Sequence, residues 1–331
     1  MKKRVGPVGR LFLALFFLLS FSSCGMGGGG TGGSSAPPSS TFSAPPNISP
    51  TSFGTISVDH NNNVWVATTF NNSPSNGLMK IPAGATSCAI TSSCPLISLG
   101  FTPAGIAVDG SGNVWVTNPS QGSVTKILSS TASSSTSVTC SSSNCPTFSG
   151  FNSPTGIVVD GSGNVWVTND VTSGAVTEIS SSTASSSTSV ICSSSSCPIF
   201  SGFSNPVAIT TTNTTPWVAN RGSTGTYSPG IVEITGISPC VSGSSSGCPE
   251  ITHFTNPVGL AFDTSGNLWV IDAGSSTTVE ITLSALANAT CSNATPCYQY
   301  SLPAVPVGIA TDSLGNIWIS LINAQVLEYK P

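Results

Sequence analysis

Residues 106–118 read IAVDGSGNVWVTN, and residues 157–169 read IVVDGSGNVWVTN, a near-duplicate 51 positions further on. The same frame recurs at 56–68 (ISVDHNNNVWVAT), 208–220 (AITTTNTTPWVAN), 260–272 (LAFDTSGNLWVID) and 309–321 (IATDSLGNIWISL). Its tryptophans, Trp65, Trp115, Trp166, Trp217, Trp269 and Trp318, stand 49 to 52 residues apart. A fixed period of this size marks one supersecondary unit used repeatedly, each copy burying its apolar face against the next.

Every copy starts with a short apolar strand, turns through Asp-Gly-Ser-Gly-Asn or a relative, and continues into a second strand, which is a hairpin signal. In that second strand Val114 and Val116 face one way and Trp115 the other, so both faces are apolar, as in a sheet covered on both sides. A third strand ends at Lys126-Ile127, Glu178-Ile179, Glu233-Ile234 and Glu280-Ile281, and a fourth reads PTFSGF (146–151) or PIFSGF (198–203). Four antiparallel strands per unit predict an all-β chain folded as a six-bladed β-propeller. The sixth copy ends with its third strand, 325–329. Thr41-Phe42-Ser43 resembles Thr147-Phe148-Ser149, so an N-terminal strand within about 41–50 is expected to pair with the last blade and close the ring. An open ring would expose a long unpaired edge.

The recurring Gly-Ile-x-x-Asp, Gly-Asn and aromatic strand resembles NHL repeats and, more closely, the repeats of streptogramin (virginiamycin B) lyase-like propellers, over roughly residues 53–331. The resemblance implies a fold; such propellers host many functions. The lyases use a histidine with metal-supporting acids on the ligand face. Neither His60, in the first hairpin turn, nor His253, placed in the outer strand of blade five, stands at a matching position.

The N-terminus has export anatomy. Lys2, Lys3, Arg4 and Arg10 precede an apolar run, Leu11 to Phe21, too short to span a bilayer, and then Ser22, Ser23 and Cys24. The FSSC ending resembles a bacterial lipoprotein box, with Phe21 where Leu is usual. It implies a signal peptide over 1–23, lipid on Cys24 and anchoring at the outer membrane or cell surface. Residues 24–40, rich in Gly, Ser and Pro, read as a flexible tether, and 41–331 as the propeller.

Ten further cysteines form five local pairs: Cys88 with Cys94, Cys140 with Cys145, Cys192 with Cys197, Cys240 with Cys248, and Cys291 with Cys297. Each pair falls at the hairpin between a blade's third and fourth strands. In an oxidising compartment they are expected to be intrablade disulfides, each contributing roughly 2 kcal/mol. Two thiolates among Ser, Asn and Gly do not complete a zinc shell.

Charged residues are 6% of the chain, against roughly 25% in ordinary soluble proteins. Past the leader, four cations (Lys80, Lys126, Arg221 and Lys330) face twelve acids, a net of −8. Nucleic-acid binding is therefore not expected. Asp59, Asp109, Asp160, Asp263 and Asp312 recur in the first hairpin, with Thr211 breaking the series; they read as caps of their own turns and not as calcium ligands. Phe101, Phe151, Phe203 and Phe254, repeating in register, read as interblade packing.

A ligand site must break the symmetry of equal blades. The loops leaving the second strands vary, which marks Asn118, Asn169, Asn220, Asp170, Arg221 and Asp272 as candidates for a polar binding rim, on the face opposite the disulfides. Replacing Arg221 and Asp272 by Ala is expected to abolish binding and leave stability almost unchanged. No nucleophile elbow, zinc-protease helix or phosphate loop is present, and no catalytic residue is assigned. The expected function is that of a monomeric recognition or scaffolding propeller for a glycan, peptide or envelope partner. The alternatives are a lyase or lactonase, for which alone a cofactor is expected, a divalent metal over the channel, and a purely structural envelope protein.

Overall fold

A computed structural model describes residues 40–43, 50–70, 76–83, 94–193, 196–222, 229–235, 249–286, 297–323 and 325–329. They form six sheets arranged as the blades of a closed β-propeller. Blade two is typical: Ile106–Val108, Val114–Asn118, Ser123–Ile127 and Thr147–Ser149 lie side by side, each antiparallel to the next. All five residues of Val114–Asn118 are buried, as a strand covered on both faces requires.

The last blade takes its fourth strand from the N-terminus. Ser40–Ser43 runs antiparallel to Gln325–Tyr329, with Phe42 opposite Val326. Pro50 already belongs to the first strand of blade one, opposite Phe70. Closure is visible in the core as well, which divides into one apolar cluster per blade interface. Trp65, Leu78 and Ile97 pack on Ile106, Val114 and Ile127 between blades one and two, and Ile56 and Met79 pack on Ala310 and Val326 where blade one meets blade six. Phe151, Phe203 and Phe254 lie in these interfaces. Phe101 packs against another.

The Gly-Ile of the repeat is explained at the axis, where the first strands converge. A Cβ on Gly156 would lie 2.8 Å from Ala208 Cα, and one on Gly308 would lie 2.9 Å from Thr55 Cα, so only a bare backbone allows this approach.

Three sequence expectations change. The connection between third and fourth strands is more than a hairpin: in blades two and three it forms a helical turn, Ser129–Ala132 or Ser181–Ala184, and then a two-residue strand. Val138–Thr139 and Val190–Ile191 each pair in parallel with the fourth strand of the preceding blade, covering an edge that would otherwise lack partners. Blade four's first hairpin is one residue shorter than the others, Thr212 facing Thr215 across Asn213. Thr211 thus stands in the ladder opposite Pro216 and not in a turn. His253 follows the outer strand of blade four, Glu250–Ile251, not blade five.

Cys140–Cys145 and Cys192–Cys197 are disulfides within those connections. Cys94 and Cys297 are disulfide-bonded as well; Cys88, Cys240, Cys248 and Cys291 lie outside the described residues, as does Cys24. Disulfides persist in oxidising compartments, which places this protein among exported ones. No helix among the described residues is long and apolar enough to cross a membrane.

Candidate functional site

The propeller has two faces. One carries the first-hairpin turns and the disulfide loops (the turn face). The other carries the loops leaving the second strands and the connections entering the next blade (the rim).

On the turn face each aspartate caps its own loop. Asp109 Oδ1 accepts the N–H groups of Ser111 (3.0 Å) and Asn113 (2.9 Å), while Oδ2 accepts the Asn113 amide (2.8 Å) and the Trp115 indole N–H (3.0 Å). The same set recurs at Asp59, Asp160, Asp263 and Asp312. Four donors fill a carboxylate's roughly four lone-pair sites, so these aspartates are structural. Sequence reading found the cap and missed the indole bond, although the constant six-residue spacing from Asp to Trp was its signal.

On the rim, four of the six candidates are equivalent buried posts at the ends of second strands. Asn118 Oδ1 accepts from the Ser120 hydroxyl (2.7 Å) and the Gln121 N–H (3.3 Å). Asn169 Oδ1 accepts the Asn152 N–H (2.9 Å) and Asn220 Oδ1 the Ser204 N–H (2.8 Å). Asp272 accepts the N–H groups of Thr255 (2.8 Å), Asn256 (2.8 Å) and Gly274 (3.0 Å). Three of these posts tie the strand end to the loop that enters their own blade. Asp272→Ala must therefore affect stability, contrary to the sequence expectation.

Asp170 and Arg221 differ. They meet across blades three and four as an ion pair at 2.5 Å, with 15% and 36% of their side chains exposed. Asn205 Nδ2 donates to the other Asp170 oxygen at 3.2 Å. Next to Arg221, Asn220 Nδ2 and the Ser204 hydroxyl are buried with no hydrogen-bond partner among the described residues. Blade four's rim thus combines an accessible guanidinium with unused hydrogen-bonding capacity.

Between the faces the channel is narrow and apolar. A cavity of about 70 Å³ is lined by first-strand residues such as Ile106, Ile157, Leu260 and Ile309. Among the described residues no three His, Cys, Asp or Glu side chains come together as a metal site.

No protein-family profile matches the chain, and no curated protein matches it. Solved structures do resemble it. A streptogramin B lyase structure aligns with a TM-score of 0.56 at 13% identity, covering 87% of this chain and 96% of that one. Virginiamycin B lyase from Staphylococcus aureus aligns at 0.55 and 15% identity, with 88% of each chain covered. A chain of the nidogen/laminin complex aligns at 0.54 and 14% identity, covering 78% and 84%. At such identities the likeness is one of fold: the chain is a six-bladed propeller of the shape that these lyases share. A fold that occurs both in a lyase and in a protein complex does not choose between chemistry and recognition.

Proposed function

We propose that this chain is an exported recognition propeller, held at the outer membrane or cell surface by lipid on Cys24, whose rim binds a glycan, peptide or envelope partner. The observation that carries the reading is the blade-four rim, where half-exposed Arg221, paired with Asp170, lies beside two buried polar groups with no partner among the described residues. The contact centres on Arg221 and Asp170; Asn118, Asn169, Asn220 and Asp272 shape the loops around it.

Binding of the purified protein to glycan and peptide arrays, with Arg221→Ala alongside, tests the recognition role. Loss of the bound class in the variant, with an unchanged melting temperature, supports the rim. Unaltered binding removes it. Stoichiometric divalent metal by elemental analysis, together with lyase or lactonase turnover, would instead favour an enzyme. Loss of palmitate labelling and of membrane association in Cys24→Ala tests the anchor.

A further inference from the structure

A larger cavity than the channel lies on the other face. A cleft of about 770 Å³ runs between the first-hairpin turns of blades two and three and the helical turn Ser181–Ala184, and a second of about 290 Å³ occupies the equivalent place between blades one and two. His60, Gly110 and Ser111 line both, so the two form one groove across three blades. The larger of the two falls within the usual range for small-ligand sites, about 300–1,000 Å³.

This groove is also where the repeat breaks its symmetry. The residue opposite each blade tryptophan is Lys80 in blade one and Lys126 in blade two, but Glu178, Glu233, Glu280 and Glu328 in the other four. Lys126, 5% exposed, lies over Trp115 and donates to the carbonyls of Ala184 (2.8 Å) and Ser186 (3.3 Å). Lys80 lies over Trp65 and donates to the Ala132 carbonyl at 3.1 Å. An ammonium has three donors, so both lysines retain N–H groups for a ligand. The aspartates beside them are filled by their own turns and offer nothing to a cation. Besides the His60 imidazole, the polar groups that remain on the walls are hydroxyls and amides, which donate and accept alike.

We infer that this groove binds a neutral, hydroxyl-rich chain, a short oligosaccharide lying across blades one to three. The inference rests on reading the protein as a recognition module, but not on the rim. Ser111 and Ser162 line the groove with exposed side chains, and their backbone N–H groups alone serve the turns. Tryptophan at either position obstructs the groove and leaves the caps intact. Ser265 holds the same post in blade five, away from the groove.

The test is calorimetric titration of the full chain with neutral cello-, manno- and chito-tetrasaccharides and with tetragalacturonate. At least one neutral tetrasaccharide should bind more tightly than the uronate. Ser111→Trp and Ser162→Trp should each weaken it tenfold or more, whereas Ser265→Trp leaves it unchanged. No neutral tetrasaccharide binding, or binding indifferent to both groove variants, overturns the inference. Loss with Arg221→Ala alone moves the site to the rim, which overturns the groove and upholds the proposed rim function.

Discussion

Trp166 and Trp217 occupy the same post in neighbouring blades but differ in one hydrogen bond. The Trp166 indole N–H reaches Asp160 Oδ2 at 2.9 Å, whereas Trp217 Nε1 is buried with no partner among the described residues, because the shorter hairpin of blade four puts Thr212, which has no carboxylate, in register with Asp160. Replacement by Phe removes similar packing from each. It also strips Asp160 of a donor in one case and relieves an orphan in the other. Trp166→Phe should therefore cost about 1–2 kcal/mol more than Trp217→Phe, measured by urea unfolding. Equal losses would show that the indole bond contributes nothing. The Asp-to-Trp spacing was legible in the sequence, as was its break at Thr211. That the two side chains touch was not, since it depends on how a five-residue loop folds back over its strand.

At the scale of the element, the third strand sets a charged residue against each tryptophan, and burial acts on it. Glu178 is pushed above the ordinary carboxylate range by burial and then by the nearby Asp160 charge. A carboxyl raised in the folded state adds stability while protonated, below its unfolded value, and loses it as pH rises through the folded value. Glu178→Gln should therefore stabilise the protein at pH 7, by less than about 1 kcal/mol because solvent screens a half-buried group, and make no difference near pH 3. Melting curves at the two pH values check this. The two-residue parallel strand that clasps the preceding blade is a second element-scale device. The Cys140 N–H donates to Ser98 O of blade one at 2.9 Å, so the disulfide loop of blade two fastens its neighbour. Cys140→Ser with Cys145→Ser should cost about 2 kcal/mol and speed hydrogen exchange at residue 140. Unchanged exchange would separate the disulfide from the clasp. The cysteine pairs were readable from their period. Their attachment to another blade was not, because a two-residue parallel strand leaves no periodicity.

For the whole molecule, six repeats in a ring imply six interfaces, and the sequence read that number directly. It also read the missing strand of blade six, because a unit without its fourth strand is conspicuous beside five complete ones. The two faces were harder to tell apart. Rim candidates were chosen because they vary, yet Asn118, Asn169, Asn220 and Asp272 are buried posts. The lysine-floored groove went unnoticed because its walls belong to three blades, and their relative tilt is a tertiary property. Closure itself yields the most direct prediction. A chain starting at Ala44 lacks Ser40–Ser43, leaving Gln325–Tyr329 as an unpaired edge, whereas a chain starting at Ser34 keeps the closing strand. The shorter protein should melt several degrees lower and associate through that edge, a difference that size-exclusion chromatography and thermal unfolding of the pair would register. Identical behaviour of the two would mean that the interface of blades one and six, with Ile56 and Met79 against Ala310 and Val326, holds the ring closed without the N-terminal strand.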